Sequence, residues 1–222
     1  MKSSYRFVLP FLLFTACQTN PKPPPPLVGD LVGVVYDLDR VPVNGAKICL
    51  SNQDQHYEAT TDTQGRFTIL NITEGSYSLS FSKGMYEKRN WNVDISDFSE
   101  ALYLQTAGYW QLLDAALDAL GRKEWQEASE YLMRGESIQA ESTTSLFLQA
   151  VLHEKRDNIP AAIEDVKAAI VIDDHSPHLW LYLADLYERS KADCALSIEA
   201  LTRYLELRDD PLAVERLSKL QL

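Results

Sequence analysis

The chain has 222 residues, 45% of them hydrophobic and 24% charged, with 32 acidic against 21 basic residues and a formal net charge of −11. That length suffices for two small hydrophobic cores. A surface this negative repels phosphate backbones and anionic headgroups, which excludes nucleic acid as a partner and disfavours adhesion to an acidic lipid surface.

The first sixteen residues, MKSSYRFVLPFLLFTA, carry Lys2 and Arg6, then an apolar run from Phe7 to Phe14 broken by Pro10, then the small Thr15 and Ala16. A membrane-crossing helix needs about 20 apolar residues, and a run less than half as long is a targeting segment. Phe14-Thr15-Ala16-Cys17 resembles the lipobox of bacterial lipoproteins, with Phe14 where leucine is usual. The resemblance implies a signal peptide over residues 1–16, cleavage before Cys17, and a mature Cys17 carrying three acyl chains, enough for stable anchoring to a membrane. The alternative is an ordinary secretory signal cut elsewhere, with Cys17 a spare thiol. Gln18, in place of the Asp that retains lipoproteins at the inner membrane, points to a lipid-anchored, periplasm-facing protein of the bacterial outer membrane. Residues 17–27 are then a tether, whose run Pro21 to Pro26 favours a polyproline helix rising about 3.1 Å per residue, a stiff spacer. Loss of the signal and its two positive charges takes the net charge from −11 to −13, and the acidity is concentrated in residues 106–222, with twenty-one acidic against twelve basic.

Residues 28–105 read as short strands. LVGVVYD, AKICLS, HYEATTD, GRFTILN, YSLSFSK and KRNWNVDI are rich in β-branched and aromatic residues and separated by Asn, Asp and Gly. Ala46, Ile48 and Leu50 alternate with Lys47, Cys49 and Ser51, and Tyr77, Leu79 and Phe81 repeat the pattern, which predicts half-buried antiparallel sheets. The landmarks Gly33, Val35, Pro42, Gly45, Ala46, Thr61, Asp62, Gly65, Phe67, Gly75 and Tyr77 resemble the carboxypeptidase regulatory-like domain, which implies a seven-stranded antiparallel β-sandwich of transthyretin type. Gly65 sits where a hairpin needs positive φ, Phe67 and Tyr77 are expected in the core, and Asp62 is expected to cap backbone amides rather than bind a metal. The resemblance brings no activity, since in peptidases this module accompanies a zinc catalytic domain. Asn71-Ile72-Thr73 fits the glycosylation pattern but carries no weight in a bacterial lipoprotein.

At Thr106 the texture turns helical, and residues 106–222 repeat with a period of about 34 residues. LLDAALDAL with EWQEASEYLMRGESI, SLFLQAVLHEK with NIPAAIEDVKAAIVI, and HLWLYLADLYERS with CALSIEALTRYLEL resemble tetratricopeptide repeats at about 109–142, 143–176 and 177–210. The places where such repeats need small residues hold Ala116, Ala128 and Gly135, then Ala150, Ala162 and Ala169, then Ala184, Ser197 and the large Tyr204. The third repeat needs one inserted residue near Cys194. Residues 211–221 predict an amphipathic capping helix with Pro211 in its first turn. The fold class is thus an all-β domain followed by an all-α solenoid.

Tetratricopeptide repeats bind partners on the concave surface lined by their first helices. The resemblance places there Trp110, Leu113 and Leu117, then Thr144, Phe147, Val151 and Glu154, then His178, Leu181, Asp185 and Glu188. Phe147, Val151 and Leu181 beside Glu154, Asp185 and Glu188 suit a protein or peptide with apolar anchors and basic flanks. The competing reading has the apolar members packing internally. No set of basic residues matches those that clamp C-terminal carboxylates in some repeat proteins. Asp173, His175 and His178 are metal-ligand types close together, but Ser176 and Pro177 explain that stretch as a helix start. No nucleophile elbow, phosphate loop, H-E-x-x-H or paired-cysteine motif occurs, so no catalytic residue, metal or cofactor is expected. Cys49 and Cys194 are expected as partly buried, inert thiols. The chain therefore reads as a non-enzymatic interaction scaffold of the cell envelope. The alternative is a glycan- or peptidoglycan-associated module in which the sandwich binds, with Trp91 and Tyr86 the candidate exposed aromatics.

Overall fold

A computed structural model describes residues 25–190 and 194–221. The signal segment, Cys17, most of the proline run and the turn at 191–193 assigned the inserted residue lie outside the described residues.

Strands β1 (Val28–Tyr36), β2 (Lys47–Ser51), β3 (His56–Thr60), β4 (Arg66–Thr73), β5 (Gly75–Ser82), β6 (Arg89–Ile95) and β7 (Leu102–Gln105) form two sheets, ordered β4-β1-β7 and β3-β2-β5-β6. The alternation read from the sequence sets the faces: Ile48, Leu50, Leu79 and Phe81 are buried between the sheets with Leu31, Val35, Phe67, Ile69 and Tyr77. Gly33 lies opposite Phe67, and a Cβ there would come within 2.3 Å of the Phe67 ring, so glycine is what lets this ring lie across β1. Gly65 has φ +72° and accepts the Val35 amide at 2.9 Å. A side chain at that position would be strained both by the left-handed backbone and by the Val35 carbonyl.

The buried hydroxyl of Thr61 accepts from the Ala46 amide at 2.8 Å and donates to the Val43 carbonyl at 2.6 Å, tying the turn before β2 to the end of β3. Beside it Asp62 accepts the amides of Gln64 and Arg66 at 2.8 and 2.9 Å. These backbone amides and the Arg66 guanidinium hold its carboxyl below the usual carboxylate range, as a turn-former requires.

One pairing departs from the antiparallel expectation: β7, absent from the segments read as strands, runs parallel to β1 from Gly33↔Leu102 to Tyr36↔Gln105. Ile95 ends β6 opposite Gly75, and Thr73, just before Gly75, pairs with Val28 at the start of β1. A strand that crosses to the other sheet from that pole has to run the same way as β1. Leu102 and Leu104 face the core and Tyr103 and Gln105 face out, but two inward residues in a strand of four are too short an alternation for the sequence to reveal it.

Helices α1 (Tyr109–Arg122) and α2 (Trp125–Ile138), α3 (Thr143–Lys155) and α4 (Ile159–Ile172), and α5 (Pro177–Arg189) and α6 (Cys194–Leu207) form three hairpins, followed by α7 (Pro211–Leu220). The expected small residues Ala116, Ala128, Ala150, Ala162, Ala169, Ala184 and Ser197 are all buried, and Gly135 lets α2 approach Leu112 and Leu113 of α1. Tyr204 fits where a small residue is usual because the neighbouring element is the cap α7 rather than another repeat. Its hydroxyl donates at 2.8 Å to Asp210, whose other oxygen accepts the Leu212 and Ala213 amides that open α7. Ser176 and Pro177 start α5 as expected, though the Ser176 hydroxyl meets His178 Nδ1 at 3.2 Å rather than a backbone amide.

The sandwich and the repeats meet without a linker. Thr106, Ala107 and Tyr109 are buried. The Thr106 amide donates to the Tyr36 carbonyl at 3.0 Å, the Glu87 amide to the Ala107 carbonyl at 3.0 Å and the Tyr109 amide to the Met85 carbonyl at 2.8 Å. The Glu87 carboxylate, 8% exposed, receives Arg134 of α2 in a two-pronged contact at 3.1 and 2.9 Å, with Arg89 at 3.8 Å. That pairing raises the Arg134 pKa above the ordinary guanidinium value.

Arg134→Met leaves Glu87 buried without its principal partner and is expected to cost about 2 kcal/mol of stability. Calorimetry is expected to split one unfolding transition into two as the domains uncouple. A single transition at an unchanged temperature would show that the pair does not join them.

Candidate functional site: the concave face of the repeats

The stripe on α1 holds the large apolar groove positions that are exposed. Trp110 is 60% and Leu117 57% exposed, one on either side of Leu113. The Trp110 ring is held edge-on by the buried Tyr109, with centroids 5.0 Å apart. Leu113 itself corrects the expectation. It is buried in the α1–α2 core against the backbone space left by Gly135, and lines no surface.

On α3 and α5 the structure brings several expected residues together. Phe147 meets the edges of His178 and Tyr182, with centroids at 5.6 and 5.3 Å. Val151 and Leu181 are half-buried against neighbouring repeats, and Thr144 is exposed. The internal-packing reading therefore holds for part of the apolar set.

The acidic residues are paired within the chain. Glu154, whose side chain is only 12% exposed, accepts from the Tyr182 hydroxyl at 2.9 Å and pairs with Arg189 and, at 3.6 Å, with Lys155. Burial, and then the Asp185 charge, pushes the Tyr182 phenol up to about 12, which keeps it a neutral donor. Arg216 of α7 reaches back to Asp185 at 2.6 Å and to Glu188 at 2.9 Å, and the Ser197 hydroxyl donates to Glu188 at 3.1 Å. Tyr182, Arg189 and Arg216 stand outside the groove positions that the repeat resemblance supplies, although a sequence signal for the first two exists. Residues about one repeat apart are spatial neighbours in a solenoid, so Arg189 beside Glu154 and Tyr182 beside Phe147, each 35 residues on, fall within one residue of the period that reveals the repeats.

Among the described residues, Asp173, His175 and His178 do not converge: His175 pairs with Asp174, Asp173 accepts the His175 amide at 3.2 Å, and His178 faces Phe147. Cys49 is half-buried, whereas Cys194 is exposed because it opens α6 rather than facing its core. Trp91 and Tyr86 are not an open aromatic face: Tyr86 packs edge-on against Phe81, and Trp91 is half-buried beside the Arg89 guanidinium. The exposed sandwich aromatic is instead Tyr103 of β7, 78% exposed, between two concavities of about 440 and 450 Å³.

No curated protein matches the chain. Among solved structures, the first tetratricopeptide domain of Spaghetti, bound to an HSP90 peptide, is 13% identical over 51% of this chain and 90% of that one, with a TM-score of 0.46. The Yersinia enterocolitica type III secretion chaperone SycD, in complex with a peptide of the translocator YopD, is 16% identical over 50% and 87%, with a TM-score of 0.44. The N-terminal domain of stress-induced protein-1 from C. elegans is 12% identical over 51% and 94%, with a TM-score of 0.47. For the first domain, residues 30–101 match the carboxypeptidase regulatory-like domain, and the sandwich is a domain of that family.

Proposed function

We propose that the chain is a membrane-anchored, non-enzymatic lipoprotein of the bacterial envelope that holds a protein partner on the concave face of its repeats. The observation that carries this reading is the stripe of Trp110 and Leu117, each more than half exposed on a rigid helix. An exposed tryptophan beside an exposed leucine, set on a preformed surface, suits a partner segment with apolar anchors. The partner needs no basic flanks, because Glu154, Asp185 and Glu188 already have cationic partners in cis. The anchor is the lipid on Cys17, followed by the proline-rich tether.

A second reading has the sandwich bind glycan. The exposed Tyr103 ring supports it, flanked by Gln64 and Arg66 on one side and by Arg40 and Gln105 on the other, an apolar face with planar hydrogen-bonding groups around it.

Cys17→Ala is expected to move the protein from the membrane to the soluble fraction, and its persistence in washed membranes would refute the anchor. Purification of the tagged, detergent-solubilised chain from its native membrane is expected to bring down a partner that Trp110→Ala with Leu117→Ala depletes at least tenfold. An undiminished partner would rule out the α1 stripe. Glu154→Lys, which sets a third cation beside Arg189 and Lys155, is expected instead to lower stability by about 2 kcal/mol. Sedimentation with insoluble peptidoglycan, abolished by Tyr103→Ala, would favour the second reading, whereas no sedimentation removes it.

A further inference from the structure

The outer face of the four-stranded sheet carries a cluster that the groove reading leaves unused. Cys49 of β2 lies directly opposite Glu58 of β3, and His56 lies two residues before Glu58 on the same face. Cys49 Sγ stands 3.9 Å and His56 Nε2 3.2 Å from the same Glu58 oxygen, and the three candidate ligand atoms lie within 4.8 Å of one another. Zinc bonds of about 2.0–2.3 Å arranged tetrahedrally place ligand atoms roughly 3.3–3.6 Å apart, so small side-chain rotations suffice to close the set. Paired strands hold all three Cα positions, which limits the entropy lost on binding. On the Cys49 side the neighbour is Ser80 of β5, too short to cover the thiol.

We propose that Cys49, His56 and Glu58 form a site for one divalent ion of the zinc class, with water completing the coordination. A thiolate with an imidazole and a carboxylate selects such an ion over magnesium or calcium. The Lys47 ammonium, 2.7 Å from the same Glu58 oxygen, is the built-in competitor. On binding, the Cys49 thiol gives its proton to solvent, and Lys47 swings from the carboxylate into water.

The test uses the full chain with Cys17→Ala and Cys194→Ala, which leaves Cys49 as the sole thiol among three cysteines. Titration with Co²⁺ alone is expected to produce a thiolate-to-cobalt charge-transfer band saturating at one equivalent and reversed by Zn²⁺. Cys49→Ser removes the band, and His56→Ala weakens binding at least tenfold. Lys47→Met strengthens binding several-fold, an effect that damage to the fold cannot imitate. Absence of the band at millimolar Co²⁺ would overturn the proposal. So would a band whose affinity ignores both His56→Ala and Glu58→Gln, since a lone surface thiol would then account for it.

Discussion

The buried carboxylate of Glu87 is the constraint on which the arrangement of the two domains depends. A charge removed from water is tolerable only where several donors meet it, and here Arg134 supplies two of them across the domain boundary while Arg89, at 3.8 Å, adds a second cation. The backbone around it repeats the same logic. Glu87 donates to Ala107 and Tyr109 donates to Met85, so the chain leaving β7 is stitched to the loop before β6. With the Thr106 hydroxyl also turned to the Glu87 carbonyl at 3.3 Å, the segment between the domains has no freedom to act as a hinge. The groove and the sandwich faces therefore present themselves in one fixed orientation.

The acidity of the helical half acquires a structural meaning once the repeat is built. Stacking brings α3, α5 and α7 side by side, and the charges facing one another across them are opposite: Glu154 with Arg189, and Asp185 and Glu188 with Arg216. The largely buried Glu154 with such a partner stabilises the stacking, while the more exposed Asp185 and Glu188 are neutralised by Arg216. Among the described residues, the large apolar groove positions left exposed are Trp110 and Leu117 of the first repeat, which follows directly on the sandwich.

The legible part of the fold is the part that repeats or alternates. Period-two burial places Ile48, Leu50, Leu79 and Phe81 correctly, and the small residues from Ala116 to Ser197 place the hairpins, because each signal is written many times over. The illegible part depends on single events. β7 has only two inward residues, Leu102 and Leu104, Leu113 sinks into the core because Gly135 is across from it, and Arg216 comes from outside the repeat pattern altogether. The ligand geometry around Glu58 is likewise hidden in the sequence, since it needs the β2–β3 register that pairs Cys49 with Glu58, and Cys49 alone reads as a quiet thiol.

The direction of β7 has the widest consequence of these. Had the last strand run antiparallel to β1, as a simple meander would, the chain would leave the sandwich at the pole where it enters. Because β7 is parallel, the sandwich begins at Val28 and the repeats begin beyond Tyr36 and Gln105, at the opposite pole. The nine residues of β1 span about 30 Å at 3.3 Å per residue. The match to the regulatory-like family stops at residue 101, just short of this strand. A sandwich entered at one end and left at the other acts as a rigid post. Combined with the locked junction at Glu87, it fixes both the distance and the angle at which the concave face stands from the strand end at Val28.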